Sequence, residues 1–297
     1  MSRRRRLGLG CAPLGGLFAE VSADEARATI DRAWESGVRL FDTAPLYGSG
    51  LSERRVGEAL RDRPRDEYVL STKVGRLLLP GEPAAMFHGA PPAAALFDFT
   101  ADGIRRSLQE SLARLGLDRV DTVLIHDPDD HLDQALAEAY PALEELRSEG
   151  VVRQIGVGMN QWQALARFVR ETDVDCVLVA GRYTLLDRSA GDELLPLCAA
   201  RGCTVLAAGV FNSGILANGT TFDYAPAPPE QAARAQALAA VCALWEVPLK
   251  AAALQFPLRH PAVGSVVVGC RSPAEVDEDV GLFGLPIPAG LWEELAA

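Results

Sequence analysis

The sequence has 297 residues, of which 48% are hydrophobic, and carries a formal net charge of −11 at pH 7. A chain of this size and apolar content can bury a large core. Its negative charge argues against nucleic acid or an anionic membrane surface as a partner, because either would need a positive face on the protein.

The chain begins with a short basic cluster at residues 3–6, all arginine, followed by a segment at 7–13 that contains two glycines and a proline. That segment is too short and too broken for the apolar core of an export signal, so a solvated N-terminal arm is favoured. No run reaches the roughly 18 apolar residues that a membrane helix needs. The six cysteines form no Cys-x-x-Cys pair. Together these features predict a cytoplasmic protein with reduced thiols.

Apolar runs typical of buried strands alternate with helical patterns about eight times along the chain. The strands are expected to end at Gly10, Phe41, Thr72, Ile125, Val157, Val179, Ala208 and Val268. The helices are expected near residues 24–36, 52–61, 102–115, 133–149, 160–170, 190–200, 230–245 and 273–282, with a short extra helix within 288–297. Two Ser-x-x-Glu sequences, beginning at Ser22 and Ser272, match the capping box that starts a helix.

Continuous alternation of strands and helices indicates an α/β fold with a parallel sheet, and eight units predict that the sheet closes into a (β/α)8 TIM barrel. No linker rich in serine, glycine or charge divides the chain, so residues 1–297 are expected to form a single domain. The longest irregular stretch, at about 75–100, carries apolar and aromatic residues. It is a candidate cover for a substrate at the rim of the barrel, or an apolar flap packed on it.

Three of the predicted strands run directly into an ionisable residue. Asp42, Lys73 and His126 each follow such a run, and Tyr47 lies in a turn just beyond Asp42. In a (β/α)8 barrel, the functional groups lie at the carboxyl ends of the strands. The sequence therefore predicts that these four side chains meet at one rim.

The four side chains are suited to proton transfer. An ammonium at Lys73 would favour the phenolate of Tyr47 and lower the phenol pKa below its usual value near 10. Asp42 would keep Lys73 protonated and oriented, and His126 would hydrogen-bond the oxygen of a bound alcohol or carbonyl. Taken singly, an Asp or Lys at a strand end is more often a structural ion pair, but four such residues together favour a catalytic site.

The chain resembles the aldo-keto reductase family in three motifs, Phe41-Asp42-Thr43-Ala44-x-x-Tyr47-Gly48, Ser71-Thr72-Lys73 and Leu124-Ile125-His126. The resemblance covers nearly the whole chain. It implies a barrel that binds a nicotinamide dinucleotide without a Rossmann domain, and hydride transfer at C4 of the nicotinamide. It also implies that Tyr47 is the general acid or base, that Lys73 and Asp42 tune it, and that His126 orients the substrate.

The resemblance further implies where the dinucleotide binds. The candidate contacts are Asn160, Phe211, Asn212, Ser213, Gly214, Gly269, Arg271, Glu278 and Asp279. Asn160 is expected to hold the carboxamide, Phe211 to pack the nicotinamide ring, and the 212–214 turn to approach the pyrophosphate. The helix that begins after Ser272 offers free N–H groups to an anion.

The same region predicts which dinucleotide is used. Relatives that prefer NADPH typically carry basic residues where this chain has Gly269 and Glu275, which leaves Arg271 as the expected lone cation near the 2′ position. The charge of Glu275 would repel a 2′-phosphate. NAD is therefore the expected cofactor, with NADP through Arg271 as the alternative.

Within the family, the segments at 48–55, 180–186 and 211–216 are similar to aldose dehydrogenases that act on L-fucose, L-galactose and D-arabinose. Bacterial pyridoxal 4-dehydrogenases are similar to the same branch, and both groups oxidise a hemiacetal to a lactone. The expected reaction is oxidation of the anomeric carbon of such an aldose. The alternatives are oxidation of pyridoxal to 4-pyridoxolactone and general aldehyde or ketone reduction. The expected partner is this small-molecule aldose or aldehyde, bound by a monomer or small homo-oligomer.

Two other classes of protein remain as alternatives. A non-enzymatic regulator on the same barrel would keep the four residues without turnover. A metal-dependent barrel hydrolase would need clustered histidines and carboxylates at strand ends. The four histidines, His88, His126, His131 and His260, are scattered. A site at His126, Asp127, Asp129 and His131 is less economical than a solvated acidic loop, so no metal is expected.

Overall fold

Twelve strands are present in the computed structural model, which describes residues 6–296. In chain order they are β1 (Leu7–Gly10), β2 (Leu40–Asp42), β3 (Val69–Val74), β4 (Arg76–Pro80), β5 (Ala93–Phe97), β6 (Thr122–His126), β7 (Gln154–Met159), β8 (Cys176–Ala180), β9 (Thr204–Ala208), β10 (Thr221–Phe222), β11 (Ala225–Pro226) and β12 (Val263–Gly269). Eight of them pair in parallel in the closed order β1-β12-β9-β8-β7-β6-β3-β2. The predicted (β/α)8 barrel and single domain are confirmed, and each predicted strand end lies within two residues of the observed one.

The helices surround this barrel. They are α1 (Ala23–Glu35), α2 (Leu51–Leu60), α3 (Ala101–Leu115), α4 (Leu132–Gln134), α5 (Tyr140–Ser148), α6 (Trp162–Glu171), α7 (Leu194–Arg201), α8 (Pro229–Leu244), α9 (Leu249–Gln255), α10 (Pro273–Gly284) and α11 (Ala289–Ala296). A π-helical turn, Ala135–Ala139, joins α4 to α5, so the helix expected at 133–149 is present with a bulge. Both serines cap their helices as predicted, because Ser22 Oγ accepts from Glu25 N at 3.1 Å and Ser272 Oγ accepts from Glu275 N at 3.3 Å. The carboxylate half of the second box differs from the prediction, because Glu275 Oε2 accepts from Arg271 N at 2.7 Å and not from the N–H of Ser272.

Two helical predictions are wrong in part. The helix expected at 190–200 begins four residues later, at Leu194, because residues 190–193 form turns. Helix α9 was not predicted. Its residues Ala251 to Leu254 are all fully buried, so it lacks the alternation of apolar and polar faces by which a surface helix is recognised.

The stretch at 75–100 is less irregular than the sequence suggests. It contains β4 and β5, which pair as an antiparallel hairpin with Arg76 opposite Phe97. The prediction of an irregular loop is therefore wrong for these ten residues. Neither strand shows a clear alternation of apolar and polar residues, because the hairpin lies on the rim with both faces only half-buried.

The pleat of each barrel strand separates two packing layers. In β6, Val123 and Ile125 belong to the large apolar cluster that also contains side chains from the surrounding helices. Alternation therefore directs Leu124 and His126 into the barrel. Leu124 joins a smaller buried cluster contributed by several strands, which fills the interior below the rim.

The amino end of the described chain is anchored. Arg6 donates through Nε to Gly264 O at 2.9 Å and through Nη2 to Val263 O, so the expectation of a solvated arm is wrong for this residue. Residues 3–5 of the basic cluster lie outside the described residues. The six cysteines are all buried and free of disulfides.

Within residues 6–296, no single helix has the length and hydropathy to cross a membrane. The segments Pro229–Leu244 and Leu249–Arg259, which meet at a bend of 100°, reach those limits of length and composition only when taken together.

Candidate active site

The four side chains predicted to form the site meet at the carboxyl ends of adjacent strands. Lys73 Nζ donates to Asp42 Oδ2 at 2.7 Å and to Thr43 O at 2.9 Å. The same Nζ lies 4.6 Å from the centroid of the Tyr47 ring. The His126 ring stands edge-on to Tyr47, with the two centroids 5.8 Å apart.

Strand order explains why these residues converge. β2, β3 and β6 are neighbours in the barrel, and their registers place Asp42 opposite Ser71 and Lys73 opposite Leu124. Because parallel neighbours end at the same rim, the ionisable residue at the end of each strand enters one small volume. Gly158 on β7 lies beside Lys73, where a Cβ would make an ordinary contact 3.7 Å from Lys73 Cε.

The turn that carries Tyr47 is fixed by close backbone packing. Gly48 has a φ of 61°, and a Cβ at this position would lie 2.2 Å from Gly15 O. No side chain can be placed at that distance, so the turn requires glycine for both its backbone angle and its contact. The Tyr47 ring is further confined by Phe87, whose centroid is 6.2 Å away.

Sequence reasoning missed Ser71, which binds the Asp42 carboxylate, and the buried pair of Glu53 and Arg114 beside β3. Ser71 Oγ donates to Asp42 Oδ1 at 2.9 Å, so both carboxylate oxygens of Asp42 accept hydrogen bonds. The fully buried carboxylate of Glu53 accepts from Arg114 Nε at 2.6 Å and from Thr72 Oγ1 at 2.7 Å. The signal for Ser71 was available, because a residue two positions before Lys73 on a strand shares its face.

The protonation of Tyr47 differs from the sequence prediction. Burial raises the pKa of the phenol above its usual value, and this effect outweighs the lowering by the Lys73 ammonium. Asp42 and Asp127 raise the pKa of Tyr47 further. The expectation that Lys73 alone brings the phenol pKa below 10 is therefore wrong, and the resting site holds a neutral phenol.

Beside the neutral phenol of Tyr47, Lys73 is charged and His126 is neutral. Burial lowers the pKa of Lys73, but Asp42 and Tyr47 together raise it above its ordinary value, so the ammonium persists. Burial, Lys73 and Arg76 hold the pKa of His126 well below its usual value. The imidazole is therefore neutral, and within residues 6–296 its buried Nδ1 has no hydrogen-bond partner. A neutral imidazole can donate one hydrogen bond to a substrate oxygen without transferring a full charge.

The buried neutral His126 should make stability depend on pH. In the unfolded chain a histidine binds a proton below about pH 6.5, whereas the folded chain excludes it, so stability should fall as pH drops through this value. The slope from one proton is at most about 1.4 kcal/mol per pH unit. Urea denaturation between pH 7 and 5 should show this loss, and His126→Asn should reduce the slope. Identical slopes for the two proteins would contradict the buried neutral form.

Two predicted cofactor residues, Asn160 and Asn212, lie on the neighbouring part of the rim. Asn160 Nδ2 donates to Ala180 O at 2.9 Å, and Asn212 Nδ2 donates to Gly181 O at 3.1 Å. The two amides approach each other at Gly181, where a Cβ would lie 3.7 Å from Asn212 Nδ2 and 3.9 Å from Asn160 Nδ2. Asn212 is 1% exposed, so its side chain supports the backbone of the turn and is not free to bind a ligand.

The turn at 212–214 has an unusual backbone. Ser213 and Gly214 have φ values of 61° and 114°. Ser213 Oγ accepts from Tyr224 N at 2.9 Å, and Ser213 O accepts from Thr221 Oγ1. Thr221 of β10 and Tyr224, which lies between β10 and β11, therefore hold the turn in a left-handed conformation.

The predicted contacts at the far end of the cofactor region form two charge clusters. Arg271 Nη2 pairs with Glu275 Oε1 at 3.1 Å. Lys250 Nζ pairs with Glu278 Oε2 at 2.6 Å and with Asp279 Oδ1 at 2.7 Å. The expectation that Arg271 is the lone cation is therefore wrong, because Lys250 comes from α9, the helix that was not predicted.

The two charge clusters lie next to the other predicted cofactor contacts. Lys250 Nζ lies 5.4 Å from the centroid of the half-buried Phe211 ring. Gly269 ends β12 against Pro13, where a Cβ would lie 2.8 Å from the proline ring. The amino terminus of α10 follows directly, so backbone N–H groups and a positive helix end face the same region. A ring platform at Phe211, the part-buried amide of Asn160 and the amino end of α10 make a donor set that fits a dinucleotide.

A metal centre has no comparable support. Among the residues that the structure describes, no group of three or more His, Cys, Asp or Glu side chains is arranged to hold a metal ion.

Comparison with known proteins gives matches over almost the full length. The model of the Aldo/keto reductase family matches residues 6–297. The chain is 49% identical to a D-threo-aldose 1-dehydrogenase from Pseudomonas sp, over 98% of this chain and 92% of that protein. It is 43% identical to a pyridoxal 4-dehydrogenase from Microbacterium luteolum, over 97% and 92% respectively. The solved structure of the aldo-keto reductase AKR11C1 from Bacillus halodurans, in its holo form, matches with a TM-score of 0.77 at 27% identity, covering 98% of this chain and 91% of that one.

Proposed function

Since the chain belongs to the aldo/keto reductase family, we propose that it oxidises the anomeric carbon of an aldose to the lactone, with NAD as hydride acceptor. Enzymes of this family are oxidoreductases that use NAD(P)(H). The observation that carries the proposal is the group formed by Tyr47, Lys73, Asp42 and His126 at the rim of the barrel.

The proposed reaction removes a hydride from C1 of the aldose and a proton from the hydroxyl on C1. When bound, the oxidised nicotinamide supplies the hydride acceptor at C4. His126 donates a hydrogen bond to the substrate C1 oxygen, and the phenolate of Tyr47 takes the proton of that hydroxyl as the C1–H bond breaks. The C1–O bond becomes the lactone carbonyl. Lys73 stabilises the phenolate. Asp42 holds Lys73 in place and accepts a further hydrogen bond from Ser71.

The protonation state of Tyr47 predicts how the rates of oxidation and reduction depend on pH. Because burial raises the pKa of Tyr47, the phenolate is the minor form near neutrality. Oxidation needs the phenolate and should become faster as pH rises toward the phenol pKa. Reduction of an aldehyde needs the phenol, which is already the resting form.

The choice of substrate is supported by the names of two relatives. One is called a D-threo-aldose 1-dehydrogenase and the other a pyridoxal 4-dehydrogenase. The higher identity to the first, 49% against 43%, favours an aldose. Oxidation of pyridoxal is the second candidate function, because the identity to that relative is only slightly lower.

Initial rates with a substrate panel test the proposal. The purified protein would be supplied with NAD or NADP and with L-fucose, L-galactose, D-arabinose or pyridoxal. NADH formation with at least one aldose is expected. Turnover of pyridoxal alone would favour the second candidate, and no turnover of any of the four would contradict both.

The preference for NAD rests on the charges near α10. Two cations, Arg271 and Lys250, are matched there by three carboxylates, Glu275, Glu278 and Asp279. The excess negative charge would repel a 2′-phosphate, whereas the 2′-hydroxyl of NAD carries none.

Removal of one of these charges should therefore improve NADP binding. Glu275→Gln keeps an acceptor for the backbone N–H of Arg271 and releases the Arg271 guanidinium from its ion pair. The dissociation constant for NADP should fall about three- to tenfold, while that for NAD stays nearly constant. Quenching of tryptophan fluorescence would measure both constants.

The matched control for this variant lies on the same helix. Asp277 pairs with Arg32 of α1 instead of facing Arg271 or Lys250, so Asp277→Asn removes a charge without changing either cluster. Equal gains in NADP affinity for both variants would mean that net charge alone, and not the position of Glu275, controls the preference.

The proposed setting is the cytoplasm, where the six buried thiols would stay reduced. The proposed assembly is a monomer or a small homo-oligomer.

A further inference from the structure

A second ion pair borders the candidate active site on its open side. Arg76 Nη2 lies 2.9 Å from Asp127 Oδ2, and the two side chains are 12% and 29% exposed. The buried pair of Lys73 and Asp42 is, by comparison, only 1% and 5% exposed. The outer pair is therefore accessible from the mouth of the barrel, while the inner pair is not.

Asp127 is held beside His126 by its position in the chain. It directly follows His126, and its Oδ2 lies 3.4 Å from His126 Nε2. Its backbone N–H donates to Gly158 O at 3.1 Å, and its φ of 44° is in the left-handed region, which is uncommon for a residue with a side chain. The surrounding structure fixes this backbone, so the carboxylate points back toward His126.

Arg76 is held by the rim hairpin. It is the first residue of β4, where it pairs with Phe97 of β5, and its guanidinium lies 4.2 Å from the centroid of the Phe97 ring. Its carbonyl accepts from Ser107 Oγ at 3.2 Å. The hairpin thus provides a rigid platform for one cation at the edge of the site.

The charges of the outer pair reach the reacting groups. The Asp127 carboxylate raises the pKa of Tyr47, after the larger effects of burial, Lys73 and Asp42. Arg76 lowers the pKa of His126, after burial and Lys73. Both members of the outer pair are therefore close enough to act on the site where the substrate C1 oxygen would lie.

We propose that Asp127 and Arg76 determine substrate specificity by binding the hydroxyl group on C2 of the aldose. This inference rests on the proposed function. A substrate whose C1 oxygen contacts His126 Nε2 brings the hydroxyl of the next carbon to Asp127, because Oδ2 is adjacent to Nε2. The carboxylate accepts the hydroxyl hydrogen, and the guanidinium donates to the hydroxyl oxygen. A carbonyl compound without this hydroxyl leaves both groups without the contact.

A cycle of one protein change and one substrate change tests the inference. The wild type and Asp127→Asn would each be assayed with L-fucose and with 2-deoxy-L-fucose, which lacks only the C2 hydroxyl. The wild type should favour L-fucose in kcat/KM by about tenfold or more, since a site built to bind a hydroxyl rejects the analogue that lacks it. Asp127→Asn should lose most of this preference, because its kcat/KM should fall more for L-fucose than for 2-deoxy-L-fucose.

Asp130→Asn is the matched control. Asp130 is exposed on the same loop, and its substitution removes the same charge. It should keep the wild-type preference for L-fucose. If Asp127→Asn lowered kcat/KM for both sugars by the same factor, the residue would be only structural and the inference would be overturned.

The pH profile provides a second measurement on the same variant. The charged groups that act on Tyr47 are Lys73, Asp42 and Asp127, and Asp127 raises its pKa. The rise of the oxidation rate with pH should therefore move to lower pH in Asp127→Asn. An unchanged profile together with an unchanged preference would overturn the inference. Absence of turnover of both sugars by the wild type would instead overturn the proposed function, and this inference with it.

Discussion

Replacing Tyr47 with phenylalanine is expected to lower kcat for aldose oxidation by about 100- to 10,000-fold, the usual contribution of a general acid or base. The variant keeps the ring that packs against Phe87 and His126, and loses only the hydroxyl. Lys73 would keep its hydrogen bonds to Asp42 and Thr43. The barrel and the cofactor region should therefore remain intact.

Initial rates and NAD binding, followed by fluorescence quenching, would separate chemistry from binding. NAD affinity should be unchanged within about twofold, and the residual rate should lose the increase with pH that the phenolate gives the wild type. Tyr183→Phe is the control, because that ring packs against Phe256 and His260, away from Lys73. Turnover of the Tyr47 variant within about threefold of the wild type would exclude the phenol as the proton-transfer group.

Replacing Lys73 with methionine is expected to lower the free energy of unfolding by about 3–5 kcal/mol, the cost of leaving a buried charge without its partner. Lys73 is 1% exposed and donates to both Asp42 and Thr43. Methionine fills a similar volume but leaves the Asp42 carboxylate with Ser71 as its remaining donor. Catalysis should also be lost, because the phenolate of Tyr47 loses the cation that stabilises it.

Urea denaturation of a second variant distinguishes the ion pair from simple packing. The double variant Lys73→Met/Asp42→Leu removes both charges, so it should recover most of the lost stability and none of the activity. Arg106→Met is the surface control, since its pair with Glu110 is largely exposed and should contribute less than about 1 kcal/mol. A Lys73→Met protein as stable as the wild type would contradict the buried pair.

The barrel and its four central residues were predictable because both follow from local patterns. Asp42, Lys73 and His126 stand where apolar strands end, and the alternation of strands and helices directs all strand ends to one rim. A one-residue error in a strand end does not change this conclusion. The grouping therefore follows from topology, without knowledge of side-chain packing.

The protonation of Tyr47 was not predictable in the same way. The pKa of its phenol depends on how much water the fold excludes from the site. Phe87, which lies between β4 and β5, packs near the Tyr47 ring and excludes part of that water. Sequence reasoning considered the charge of Lys73, which belongs to one of the recognised motifs. It omitted the burial of the phenol, to which Phe87 contributes from outside every motif, 40 positions from Tyr47 in the chain.

The two further ion pairs were missed for a similar reason. Arg76 and Asp127 are 51 residues apart, and Lys250 and Glu278 are 28 residues apart. Arg76 belongs to a stretch predicted as irregular, and Lys250 belongs to α9, whose buried alanines carry no helical periodicity. Both pairs depend on elements that only tertiary packing makes visible.

Deuterium placed on C1 of an accepted aldose offers the most direct test of anomeric oxidation at this site. After turnover with NAD, deuterium should appear on C4 of the reduced nicotinamide, the sugar product should be the lactone, and Tyr47→Phe should remove most of the signal. Mass spectrometry and proton NMR of the two products would measure this transfer. Reduced nicotinamide that carries no deuterium, formed while the label stays on the sugar, would contradict hydride transfer from the anomeric carbon.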